Sequence, residues 1–163
     1  SVYRGNPFTV EVALAYGATG VAARASGVHR DVRHDYPYAA YGSLAPEVVV
    51  ETTGDVFARY RVRVRELEVT AALIERMLRE IPAGEHVVPC TPKRGTAIGA
   101  VESWRGEVCT FLRMADGHID RCFPRDPSFC NWALFGELGP GNIVPDFPLC
   151  NKSLNLSYSG TDC

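Results

Sequence analysis

Six cysteines, four histidines and a cluster of arginines are the residues of this 163-residue chain most able to do chemistry. Thiolate sulfur holds soft metals and attacks electrophiles, and imidazole binds metals and moves protons. The cysteines stand at positions 90, 109, 122, 130, 150 and 163; no two form a Cys-x-x-Cys, and no histidine joins them at zinc-ligand spacing. A chain of this length with 46% apolar residues needs no disulfide framework, so the thiols are expected to be reduced and mostly buried, as small hydrophobes. His29, His34, His86 and His118 fall in loops or at strand edges, where solvated or hydrogen-bonded imidazole is the ordinary state. Arg61, Arg63 and Arg65 read as a solvated helix face, although three such side chains point in different directions and some could meet a partner. Trp104 and Trp132 read as packing residues. Patterns for a nucleophile elbow, a phosphate loop and a zinc-protease helix are all missing, so no enzyme is defined by local pattern alone.

These residues need elements to hold them, and the chain supplies an α+β set. Thr9 as a cap, Glu11 in a first turn and Gly17 as a stop predict a short helix near the N-terminus. Residues 20–46 are punctuated by Gly20, Gly27, Pro37, Gly42 and Pro46 and read as an irregular segment, rich in charge and aromatics, of the kind that carries function or an interface. Val48–Val50 reads as a short strand. The spacing of Phe57, Tyr60, Val64, Leu67, Ala71, Ile74, Leu78 and Ile81 predicts a long helix from Asp55 to Ile81, stopped by Pro82. Val62, Val69, Leu73 and Met77 form a second apolar row, which predicts burial on more than one side. Ile98–Glu102, Glu107–Met114 and His118–Phe123, joined at Trp104–Gly106 and Ala115–Gly117, predict an antiparallel meander, with Asp116-Gly117 the hairpin signal. A short helix is expected near Ser128–Leu138. The whole, residues 1–163, reads as one domain. A net charge of −2 gives no global attraction to nucleic acid or an anionic membrane surface, and no apolar run approaches the roughly 20 residues of a bilayer span. The chain opens on Ser1 with no leader pattern and reads as a processed or excised piece of a longer protein.

The tail narrows the field. Gly141-Asn-Ile-Val-Pro-Asp-Phe-Pro-Leu-Cys150 through Ser157-Tyr-Ser-Gly160-Thr-Asp-Cys163 resembles the C-terminal signature of nickel–iron hydrogenase large subunits, matching it at Asp146, Pro148, Leu149, Ser153, Tyr158, Ser159, Thr161 and Asp162. Further blocks run through the chain in order: Ala18–Val28, Asp31–Arg33, Tyr36–Tyr38, Gly54–Arg59 with Arg63 and Glu66, Gly99–Glu102, Arg105–Glu107, and Asp116 to Asn131. Together they resemble the superfamily of those hydrogenases and the 49-kDa subunit of respiratory complex I. The tail follows the hydrogenase version more closely, so overall similarity favours the formate hydrogenlyase type over complex I itself.

That resemblance implies a site, and the sequence departs from it at the metal. The family's last Cys-x-x-Cys falls on Ser157 and Gly160, so both ligands it would give to nickel are missing. A serine hydroxyl is hard and too basic to ionise readily, and Cys150 and Cys163 would need another backbone path. The expectation is a chain with no metal or cofactor of its own, part of a membrane-associated oxidoreductase of the NADH:quinone or the formate hydrogenlyase type. Asp146, Ser157 and Arg24 would line a cavity that serves a quinone in the full complex. The family's head-group residues would lie upstream. An iron–sulfur cluster would sit on a small partner subunit, beside membrane-arm subunits, with the chain cytoplasmic and peripheral to the inner membrane. The alternatives are a true nickel–iron hydrogenase subunit and a scaffold that only docks others. The apolar rows of the long helix further predict that the isolated chain self-associates through parts of residues 20–81.

Overall fold

The computed structural model describes residues 7–85 and 87–161; His86, Asp162 and Cys163 lie outside them. The N-terminal helix forms as its signals predict: α1 spans Val10–Ala15, and Thr9 Oγ1 accepts the Val12 N–H at 3.3 Å. The segment expected to be irregular instead holds three short helices, α2 (Gly20–Arg24), α3 (Val32–Asp35) and α4 (Tyr41–Leu44). Each is a turn or so long, too short for an apolar period to show, and α3 is capped locally by Asp31, which accepts the Arg33 N–H at 2.9 Å. His34 therefore sits in α3 rather than in a loop.

Helix α5 runs Val56–Glu80, with Asp55 as N-cap accepting the Ala58 N–H at 2.7 Å and Ile81, before Pro82, in extended backbone. Its two apolar rows have opposite fates. Ala58 and Val62 are buried against Val21, Ala25 and Val49, with Val69 packed beside them, and Leu73 further along the helix is also buried. The more regular row faces outward: Tyr60 and Leu67 are each 61% exposed, and Leu78 and Ile81 about as open. Period alone cannot say which of two apolar rows meets the core. Val48–Val50 is no strand; Val49 enters the core from extended chain whose Glu51 N–H bonds Arg24 O at 2.9 Å.

The meander is present as β1 (Gly95–Ser103), β2 (Gly106–Ala115) and β3 (His118–Arg125), in sequence order and antiparallel. Ile98, Phe111 and Phe123 are in register across one face. Asp116 and Gly117 both take positive φ, 49° and 80°, as a type I′ hairpin turn requires. The other turn presses on α2: a Cβ on Gly20 would lie 2.1 Å from Arg105 O, and one on Gly106 would lie 2.7 Å from Gly20 N. Only a pair of glycines lets the two backbones cross there.

The expected helix near Ser128–Leu138 is α6 (Pro127–Asn131) continued as 3₁₀ turns over Trp132–Leu138. A further helix in the tail, α7 (Phe147–Leu154), carries Pro148 in its first turn and packs on α5. Leu134, Leu138, Cys150 and Leu154 join Phe8, Ala13 and Ala22 in the second core cluster. Among the described residues no helix is long and apolar enough to cross a membrane.

Candidate functional site

Arg24, the last residue of α2, is 2% exposed and draws four elements together. Its Nε donates to Glu66 Oε1 at 2.8 Å, and its Nη1 to Glu102 Oε1 at 2.8 Å and to Arg30 O at 3.1 Å. Asp31 lies 3.7 Å away and is itself held by two side-chain bonds from Arg33, at 3.0 and 2.7 Å. Glu102 Oε2 also accepts the Val32 N–H at 3.2 Å. Burial pulls against the Arg24 charge, but Glu66, Glu102 and Asp31 leave its pKa above the ordinary value. Burial alone would push Asp31 up; Arg33 and Arg24 outweigh it and hold the carboxyl below its usual range. Arg24 is thus a structural hub with its charge matched, and it reaches open space only at the wall of a cleft of about 360 Å³.

Ser157 lies beyond α7, in a loop fastened to α6. Its N–H donates to Ser128 Oγ at 2.9 Å, and its carbonyl accepts the Trp132 Nε1–H at 3.0 Å. The Ser157 hydroxyl accepts the Gly160 N–H at 3.1 Å. The two positions that would carry metal-binding cysteines therefore face each other across one tight turn and share a shallow recess of about 230 Å³ with Val108, Pro124, Asp126 and Ser159. Gly160 has no room for a side chain. A Cβ there would stand 2.7 Å from Asp126 Cγ and 2.8 Å from its Cβ, and Asp126 is the N-cap of α6, accepting the Ser128 N–H at 2.8 Å. The residues present do not fit a nickel–iron centre. Among the described residues no three His, Cys, Asp or Glu side chains gather in a way that could hold a metal ion.

Asp146 ends the 3₁₀ turn Val144–Asp146, and its Oδ2 accepts the Ile143 N–H at 3.2 Å, which fixes the approach to α7. Beside it an apolar recess of about 200 Å³ is lined by Phe135, Leu138, Ile143, Val144, Phe147 and Cys150. Arg24 and Ser157 thus line different depressions and Asp146 lines none of those described, so the structure does not bring the three together around one cavity.

Arg59 belongs to a block that carries the resemblance, where no site role attaches to it. Arg59 is fully buried; its Nε donates to Ser153 Oγ at 3.0 Å and its Nη1 to Gly54 O at 2.8 Å, while Nη2 has no hydrogen-bond partner among the described residues. Burial pushes its guanidinium down to about 10. The signal was there in the spacing: Arg59, Arg63 and Glu66 recur at i, i+4 and i+7, a charged stripe on the inward side of α5. Trp104, read as a packing residue, is 56% exposed at the lip of the Arg24 cleft.

Residues 6–94 match the family described as the 49 kDa subunit of respiratory-chain NADH dehydrogenase. The D-type subunit of the NADH-quinone oxidoreductase of Desulfotalea psychrophila is 35% identical over 153 residues, covering 90% of this chain and 41% of that protein. The second D-type subunit of the same enzyme in Opitutus terrae is 35% identical over 163 residues, covering 96% of this chain and again 41% of the relative. The chain superposes with a TM-score of 0.87 and 30% identity on a subunit of the membrane-bound sulfane sulfur reductase, an archaeal respiratory membrane complex, covering 97% of this chain and 46% of that one. The chain belongs to the complex I 49 kDa subunit family. It spans about two fifths of the length of the curated relatives it matches.

Proposed function

We propose that this chain is the C-terminal part of a large subunit of a membrane-associated oxidoreductase complex of the NADH:quinone type. The reading rests on family membership and on one observation of geometry, the closure of the former metal position by Asp126 against Gly160. In this reading the chain holds no metal. An iron–sulfur cluster on a small neighbouring subunit supplies the electrons. A quinone or related carrier takes up two electrons and two protons to become the hydroquinone. The chain's own residues shape the enclosure: Ser157 and Asp146 fix the loop and turn that flank α7, and the Arg24 network ties α2, α3, α5 and β1 into a stiff wall. Membrane-arm subunits complete the assembly, with the chain on its cytoplasmic side.

The exposed row of α5 supports a second reading, a subunit that only docks others. The nickel–iron alternative finds no support at Gly160. Elemental analysis tests the leading reading: the full-length subunit, expressed with hydrogenase maturation factors, is expected to contain no nickel. Near-stoichiometric nickel in the unmodified protein would overturn it. Quinone-dependent oxidation by the assembled complex separates the enzyme from the docking subunit, which would support none.

A further inference from the structure

The cleft walled by the Arg24 network has one cation that the network does not use. On α5, Arg63, Glu66, Leu67 and Thr70 stand at i, i+3, i+4 and i+7, so one helix face lines it; Arg24, Arg33, Glu102, Ser103 and Trp104 complete it. Arg24 is committed to Glu66 and Glu102, and Arg33 to Asp31. Arg63 has no ion pair within 4.0 Å among the described residues; its one bond is a long 3.5 Å donation from Nη1 to Arg59 O. Its neighbours on either side along the helix differ, since Arg61 and Arg65 turn out to solvent and meet Glu51 and Glu47. Burial also pushes the Arg63 guanidinium below its ordinary value, and the attraction of Glu66, too distant for an ion pair, offsets this only in part.

We propose that this cleft binds a monocarboxylate carried on an apolar or aromatic body. Arg63 would receive the carboxylate through its free N–H fork. Thr70 would add a hydroxyl, and the exposed Leu67 and Trp104 would cover the apolar body. Single charge follows from the surroundings: Glu66 and Glu102 flank the same space and would repel a phosphate dianion. The volume of about 360 Å³ admits a body the size of one ring with its substituent. The carboxylate can come from a free organic acid or from an acidic side chain of a partner, and assembly distinguishes these sources.

The test uses benzoate as the probe and neutral, near-isosteric benzamide as its control, with the Trp104 indole N–H followed by nuclear magnetic resonance. Benzoate should shift that signal with a dissociation constant of about 1–10 mM, and benzamide should bind at least tenfold more weakly. Arg63→Gln should weaken benzoate about tenfold or more. Leu67 is exposed, so its variants leave the fold intact: Leu67→Gln, which removes apolar cover alone, should weaken binding about threefold, and Leu67→Glu, which also adds a like charge, should weaken it further. In the assembled complex, continued benzoate binding identifies a free acid as the natural ligand, and its loss identifies a partner carboxylate in the cleft. Equal binding of benzamide, indifference to both Leu67 variants, or no shift at tens of millimolar benzoate would each overturn the proposal.

Discussion

Replacing Gly160 by alanine should destabilise this protein far more than an alanine in a surface turn ordinarily does. The new methyl carbon would lie 2.7–2.9 Å from three atoms of the Asp126 side chain, closer than real Cβ atoms come to anything. Asp126 must move, and its carboxylate then gives up the Ser128 N–H that it accepts at 2.8 Å at the start of α6. Loss of such a cap costs about 1 kcal/mol, and overpacking at a closed site adds about 1–3 kcal/mol. The sum, about 2–4 kcal/mol, should lower the urea midpoint by roughly 1–2 M if the unfolding slope is near 2 kcal/mol per molar. Gly160→Cys should cost at least as much, because the clash begins at Cβ. Ser157→Cys alone, which only weakens an acceptor for the Gly160 N–H, should cost about 1 kcal/mol. Equilibrium urea unfolding of the single variants measures all three. In an Asp126→Ala background the Gly160→Ala change should cost clearly less, since two of the three close atoms are gone and the cap is already forfeited. A Gly160→Ala protein within 0.5 kcal/mol of the parent, or strict additivity with Asp126→Ala, would refute the reasoning and reopen the question of a cysteine pair at these positions.

Four further outcomes are expected. Arg24→Met leaves Glu102 and Asp31 buried without their shared cation and should cost about 3–5 kcal/mol in the same assay. Because Asp31 is held below its ordinary value of 3.8, its contribution is complete above that pH and is lost as the pH falls through the lower folded value; Asp31→Asn should flatten the acid limb of a stability-against-pH curve. Cys90 and Cys122 are exposed and Cys150 is buried, so timed alkylation read by mass spectrometry should label the first two within minutes and Cys150 only on unfolding, with no disulfide found among the six thiols before reduction. The isolated chain should self-associate through the outward row of α5, and Leu67→Glu with Leu78→Glu should shift it toward monomer in sedimentation; a clean monomer of the parent at tens of micromolar would count against this.

The elements with strong local signals were legible. Asp55 and Pro82 bracket α5 to within a residue, and Asp116-Gly117 places the β2–β3 turn, because caps and turns are chemistry between near neighbours. The α2–α4 turns and α7 were not read, since four to eight residues hold too little periodicity and α7 starts inside a Pro-rich tail. The orientation of α5 was beyond the pattern: Tyr60 and Val62 are both apolar, and only the position of Val21 and Val49 decides which turns inward. At the candidate site, the loss of sulfur at Ser157 and Gly160 was plain from residue type. The closure of Gly160 by Asp126 was not, as the two stand far apart in sequence and meet only because α6 and the tail loop are pinned through Ser128 and Trp132.

The crossing of Gly20 with Gly106 divides the meander into a fixed end and a free one. At the fixed end backbone touches backbone, Arg105 Nε bonds Asn155 O, and the Thr19 segment is clasped by Asn131. An insertion there would wedge the sheet away from the helices and from the tail loop at once. At the Asp116–Gly117 end, by contrast, a Cβ on Gly117 would meet no neighbour within 4 Å. Extra residues at that tip would lengthen two strands and disturb little else. Evolution and engineering alike can extend this sheet in one direction only, outward from the helices, as an arm of adjustable reach on a shoulder that cannot move.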